Sequence, residues 1–385
     1  MDLEKTKNST RERFLHRLRY SYRSYDLISS NLFKAVPVFF RNRRLRTEIL
    51  HFPASIGQPF VISVTGQDLD FQTIRSCLAN LGLDQVGMSV ASSEIEQLHR
   101  HEKLLSELHA EGIESTVSLL QQRQDVMDPD RWKGFVQEVF FRLGKISANF
   151  VIGHAWNSLE GGVYDHQEYL QLAHAAFSAA EGQSLSLVGP AVTGFHFWLY
   201  PPLLKILPFD RISCQLDISR ETDMSRPNIG NNFLKKLTRL KAGIEVSSKR
   251  GKGLWLTDLG RPVLDEAGES DLLIRFLVPV LSTGLVEKIF LPWPEGSGFP
   301  ALKTLVSFLG SSVFEGRFVH PEAEIFVFCK AKEVFAVGWT GGKSVEYEFP
   351  GELKKVFTRD GDELPVTSRG VVLDGHPRYV ILAAD

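Results

Sequence analysis

From residue 60 onward, short unbroken apolar runs alternate with longer stretches whose apolar residues recur every three or four positions. The short runs read as buried strands and the longer stretches as amphipathic helices. Strands are predicted at 60–64, 85–90, 114–119, 150–153, 185–188, 212–216, 253–257 and 288–291. Helical spacing is carried by Ile95, Leu98, Leu104, Leu105 and Leu108 within 94–111, and by Val136, Val139, Phe140 and Leu143 within 131–143. Further helices are predicted at 167–180, 233–240 and 301–309. Eight βα units suit a closed barrel. An open doubly wound sheet has a glycine-rich first turn, and no G-x-G-x-x-G follows the first run. The predicted class is α/β, a (β/α)8 TIM barrel.

Past residue 309 the texture changes to short alternating runs at 324–328, 334–339, 344–349, 371–373 and 379–382, punctuated by Gly341-Gly342 and Asp360-Gly361. These predict a small C-terminal β-sandwich, which a strand at 46–52 is expected to complete. The organisation read from the sequence is a basic N-terminal arm over residues 1–55, a barrel over 56–312 and a sandwich over 313–385.

Composition is that of an ordinary folded protein, but charge is unevenly placed. The net charge of −2 divides into +7 over the first fifty residues and −9 over the rest. Arg11, Arg13, Arg17, Arg19 and Arg23 interleave with Phe14, Leu15, Leu18, Tyr20 and Tyr22, and Arg41, Arg43, Arg44 and Arg46 follow the apolar stretch 36–40. Such an arm either meets an anionic membrane surface or an acidic protein, or packs its aromatics on the barrel. The acidic remainder, without a reading motif, argues against nucleic acid.

The charged N-terminus lacks an apolar leader, and no run approaches the roughly 20 residues of a membrane span. The expectation is a cytoplasmic protein, held at the inner membrane if the arm binds lipid. Cys77, Cys214 and Cys329 are odd in number and widely spaced, which argues against a disulfide framework or a zinc site. His99, His101 and His109 lie on a charged helix and read as a solvated face rather than as metal ligands. There is no G-x-S-x-G elbow for serine chemistry, and no cofactor is expected.

In a barrel of this kind, the residues just past the C-terminal ends of the strands build the site. The carboxylates placed there are Asp68, Glu160, Asp217, Glu221, Asp258 and Glu295. They are joined by Gln121, Gln122, His154, Trp156, Asn157, His196, Trp198 and Trp293. Rings that stack on pyranose faces, beside acids that bond hydroxyls, suit a glycan or oligosaccharide partner, and the same groups would also suit other polar substrates.

Residues 150–157 (FVIGHAWN), Tyr169, residues 187–190 (LVGP) and residues 254–260 (LWLTDLG) carry a family likeness. They resemble the clan A glycoside hydrolases, in particular the β-xylosidase and α-iduronidase-like branch. There the fourth strand ends in a G-N-E-P-N-like motif, the fifth begins V-G-P and the seventh carries W-x-T-E-x-G. Trp293 takes the place of that clan's eighth-strand tryptophan.

The resemblance implies that His154 replaces an asparagine, Ala155 the acid/base glutamate and Trp156 a proline, while Asp258 stands for the nucleophilic glutamate. A retaining glycosidase needs two carboxyl groups about 5 Å apart. Asp258 is one methylene short, and a displacement of about 1 Å costs roughly a hundredfold in rate. Three readings follow. In one, the cleft binds a glycan without standard retaining hydrolysis, through Gln121, His154, Trp156, Asn157, His196, Asp217 and Trp293. In another, it is an active glycosidase, with Asp258 as nucleophile or base and an acid supplied by Glu160, His154 or Glu295. In the third, the protein is a non-catalytic scaffold in surface-glycan assembly.

Overall fold

The computed structural model describes residues 29, 35–51, 53–64, 70–216, 218, 229–248, 253–259, 267–294, 298–366 and 370–383. Eight parallel strands close a barrel: β2 (Phe60–Val64), β3 (Gln85–Ala91), β4 (Glu114–Leu120), β5 (Asn149–Ile152), β6 (Ser186–Thr193), β7 (Arg211–Gln215), β8 (Leu254–Asp258) and β9 (Val286–Leu291). Ile62 pairs with Val86 at one side of the first strand and with Leu291 at the other, so no edge is left unpaired.

The strands are apolar on both faces because each face is covered. Val61, Val151, Val188, Trp255 and Phe290 form a cluster inside the barrel. The alternate residues, among them Phe60, Ile62, Phe150, Ile152, Leu254 and Leu256, pack outward with the helices. Phe290 sits so close to Gly87 that a Cβ there would lie 2.7 Å from its ring. Below this cluster the N-terminal end of the barrel is closed by charge: Lys288 pairs with Glu114, Arg211 with Glu287, and Trp255 Nε1 donates to Glu287. The opposite, C-terminal end is the one left for a site.

Around the strands run α1 (Ala35–His51), α2 (Phe71–Leu81), α3 (Leu98–Ala110), α4 (Arg123–Met127), α5 (Pro129–Leu143), α6 (His166–Ala180), α7 (Tyr200–Ile206), α8 (Ile229–Ser247), α9 (Ala267–Leu281) and α10 (Gly298–Leu309). Their starts are written locally. Asp70, Asp128 and Asp165 each accept a hydrogen bond from the backbone N–H three residues on, capping α2, α5 and α6, and Pro129 follows its cap at the first helical position. The stretch 94–111, predicted as one helix, begins as a 3-10 turn over Ser92–Gln97 before α3.

The chain then forms β10 (Val313–Val319), β11 (Ala323–Lys330), β12 (Glu333–Thr340), β13 (Val345–Glu348), β14 (Leu353–Phe357), β15 (Glu363–Leu364), β16 (Gly370–Leu373) and β17 (Arg378–Leu382). Together with β1 (Ala54–Ser55) they make an antiparallel seven-stranded sheet, β1-β10-β11-β12-β17-β14-β15, and a two-stranded sheet, β13-β16. Alternation assigns the faces. Phe335, Val337, Trp339, Tyr379 and Ile381 pack toward the barrel, around Phe308 of α10. Ala336, Val380 and Leu382 pack the other way, against Val371 and Leu373 of the small sheet.

The strand expected at 46–52 is not formed over 46–51, which continue α1, and residue 52 lies outside the described residues. The helical period there places Val38 and Leu45 against Ala242 of α8, and Arg41 pairs with Glu245. The short β1 that follows pairs with β10 in its stead. The part of the basic arm at 35–51 therefore packs on the barrel, while residues 1–28 lie outside the described residues. Among the described residues, no helix is long and apolar enough to cross a membrane.

Candidate functional site at the barrel mouth

Four consecutive strand ends form an arc at the C-terminal mouth. They are His154 and Ala155 after β5, Thr193 at the end of β6, Gln215 at the end of β7 and Asp258 at the end of β8. Gln215 stands opposite Asp258 in register, and the Leu216 N–H donates to the Asp258 carbonyl at 2.6 Å.

Gln215, absent from the residues singled out by sequence, joins the arc together. Its Oε1 accepts from the Ala155 N–H at 2.6 Å, which fixes the amide orientation. Its Nε2 therefore donates to His154 Nδ1, 3.2 Å away. An imidazole nitrogen that accepts carries no proton, so the neutral ring of His154 holds its proton on Nε2. Substituting Gln215→Leu keeps the volume but leaves the Ala155 N–H without its acceptor in a buried setting. The expected cost is about 1–3 kcal/mol in urea unfolding. In 15N spectra the Nε2–H tautomer of His154 should dominate in the parent chain and lose its preference in the variant.

Ala155 departs from the usual backbone. Its φ is 41°, in the left-handed region, and it is 2% exposed. At the position where the resembled motif has an acid, the chain turns sharply inward and carries a methyl group. Gly161 must be glycine for this turn to pack, since a Cβ there would lie 2.4 Å from the Ala155 carbonyl oxygen.

The turn also reverses where Trp156 goes. Trp156 is fully buried and stacks on Tyr169 of α6, with ring centroids 4.9 Å apart, and Tyr169 in turn donates to the Ile152 carbonyl at 3.0 Å. The expectation of a substrate contact by Trp156 is corrected: the ring is packing beneath the loop and presents no surface to a ligand.

Gln121 and Asn157, also expected to touch substrate, spend their amides on the backbone. Gln121 Oε1 accepts from His154 N–H at 2.7 Å, and its Nε2 donates to the carbonyls of His154 and Gly161 at 2.5 and 2.7 Å. Asn157 donates to the Thr193 carbonyl and accepts from the Thr193 N–H, at 2.9 and 2.7 Å. Both amides thereby hold the loop after β5. Arg123 continues the clamp, reaching the Gly162 carbonyl at 3.0 Å and Glu168 at 2.7 Å, with its guanidinium over Tyr164.

The remaining residues are distributed around this frame. Asp258 and His154 are half-buried at the mouth, and His196 meets Trp198 edge-on at 4.8 Å just past β6. Trp293, half-buried past β9, packs partly on the core. Glu160 is exposed, in a 3-10 turn over Leu159–Gly161. Asp68, Asp217, Glu221 and Glu295 lie outside the described residues. Among the described residues, no group of three or more His, Cys, Asp or Glu side chains is arranged to hold a metal.

No protein-family model matches the sequence, and no curated protein matches it. Solved structures are similar in shape. A family 39 glycoside hydrolase from the gut symbiont Bacteroides cellulosilyticus superposes with a TM-score of 0.65 at 14% identity, over 85% of this chain and 81% of the other. A family 30 endoxylanase from Clostridium papyrosolvens gives 0.58 at 11% identity, over 87% and 98% of the two chains. A bifunctional glucanase-xylanase from a metagenome library gives 0.54 at 10%, over 86% and 96%. With its closed eight-stranded barrel and appended β-sandwich, this chain shares the fold of these glycoside hydrolase structures.

Proposed function

We propose that the barrel mouth binds a glycan or oligosaccharide and does not carry out standard retaining hydrolysis. The observation that carries this reading is Ala155: a buried methyl group on a left-handed turn, held by Gln215, at the strand end where the resembled motif has its proton donor. Retaining chemistry requires a carboxylic acid there to protonate the leaving oxygen. Polar groups nonetheless remain along the same arc. Asp258 offers a carboxylate to sugar hydroxyls, His154 offers its Nε2–H, and the rings of Trp293 and His196 are partly exposed at neighbouring strand ends.

The glycoside hydrolases that are neighbours by shape support the ligand class, and Ala155 supports the loss of hydrolysis. In this reading Asp258 is a binding group rather than a nucleophile. Incubating the full chain with aryl glycosides and a panel of oligosaccharides tests it, following release and thermal shift together. A shift without release is expected. Asp258→Ala should weaken binding about tenfold or more, the loss of a hydrogen bond to a charged group. Release of the aglycone, abolished in Asp258→Ala, would instead establish an atypical glycosidase using Glu160, His154 or Glu295 as its acid. Neither shift nor release across the panel would leave the scaffold reading.

A further inference from the structure

Helix α1 has two unlike faces. The inner one is satisfied: Val38 and Leu45 pack against Ala242, and Arg41 pairs with Glu245 and Glu48. On the outer face Val36, Phe39 and Phe40 are 61%, 62% and 62% exposed. The same face continues into Arg43, Arg44 and Arg46, all exposed, with Arg44 bonded only to Glu48 among the partners described, at 2.9 Å. Positions 36, 39, 40 and 43 follow the helical period, so the rings and the Arg43 guanidinium form one stripe, with Arg44 and Arg46 on its two flanks.

Burying a phenylalanine that is left in water is favourable, and two neighbouring rings displayed together mark a surface made for contact. The charge around them selects the partner. Exposed Arg43, Arg44 and Arg46 make this face positive while the residues beyond the first fifty carry a net −9, so an anionic plane is attracted to this face and repelled by the rest of the molecule. Because α1 is fixed to α8 by its inner face, contact through the outer face orients the whole barrel.

We propose that the outer face of α1 docks on an anionic lipid bilayer. Val36, Phe39 and Phe40 enter the boundary between headgroups and acyl chains, and Arg43, Arg44 and Arg46 pair with the lipid phosphates. This proposal stands independently of the glycan reading.

Flotation of the full chain with vesicles tests it. The chain should float with vesicles of mixed phosphatidylcholine and phosphatidylglycerol, fail to float with phosphatidylcholine alone, and bind less as salt is raised. Changing Arg43, Arg44 and Arg46 together to alanine should lower partitioning about a hundredfold, since each basic residue near such a surface contributes about fivefold. Phe39→Ser with Phe40→Ser should lower it by about tenfold or more. Both sets of side chains are exposed, so the thermal midpoint should stay that of the parent and a lost fold is distinguished from lost binding. No flotation with anionic vesicles, or flotation undiminished in both variants, overturns the proposal. Capture of an acidic polypeptide in place of vesicles overturns it in favour of a protein partner.

Discussion

Trp156→Ala is expected to lower stability by about 3–5 kcal/mol, the range for removing a fully buried tryptophan or phenylalanine. The indole is fully buried and stacked on Tyr169, whose hydroxyl bonds the last residue of β5. Truncation opens a cavity under the loop that carries His154 and Ala155, and the loop cannot collapse into it while Gln121 and Gln215 hold its backbone. Urea unfolding measures the loss, and Trp156→Phe, which keeps a ring against Tyr169, should recover a good part of it. A sugar platform would behave in the opposite way, with stability nearly unchanged and the oligosaccharide-induced thermal shift abolished. That result would return Trp156 to the ligand surface.

The same loop shows where sequence reading reaches its limit. The eight barrel strands were legible because a parallel strand covered on both faces is a continuous apolar run, and such runs recur at βα spacing. β10 and β14 were not, for local reasons. Glu315 and Gly316 interrupt β10 where its register shifts, and Lys354 and Lys355 sit inside the five residues of β14. At 46–51 the chain continues a helix whose earlier turns are anchored by Val38 and Leu45 on Ala242 of α8, a partner that the local sequence does not reveal.

Strand ends were legible in position but side chains were not legible in direction. Counting residues past each strand end places His154, Asn157 and Asp258 beside the barrel mouth. It could not foresee that Ala155 takes a left-handed conformation, which breaks the alternation of the strand and sends Trp156 into the core. Gln121 and Asn157 look like ligand groups in a sequence because amides bind sugars as readily as they bind backbone. Gln215 lacks the charge or ring that would mark it, yet three neighbours depend on it: Ala155, His154 and Thr193. The polar residue closing an apolar strand was the available signal.

Asp271→Ala is expected to cost about 3–5 kcal/mol, because it breaks a buried ion pair from one side only. Asp271 lies on α9 of the barrel and is 3% exposed. Its carboxylate meets Arg359 at 2.8 Å and His376 Nδ1 at 2.6 Å, both in loops of the β-sandwich. Arg275 lies one turn further along α9, also buried, and burial pulls its pKa down from the usual arginine value while Glu324 and Asp271 oppose the shift. Removing the Asp271 charge therefore leaves two guanidiniums at a dry interface with less compensation. Asp271→Leu combined with Arg359→Met removes both members of the pair, and should cost less than Asp271→Ala alone. Urea unfolding followed by far-UV circular dichroism and by tryptophan fluorescence would measure both effects. If the pair joins barrel and sandwich into one cooperative unit, the two probes coincide in the parent chain and separate in Asp271→Ala, with the sandwich unfolding first. Coincident transitions in the variant, at an unchanged midpoint, would show that the shared apolar face around Phe308, Phe335 and Tyr379 is sufficient to hold the two together.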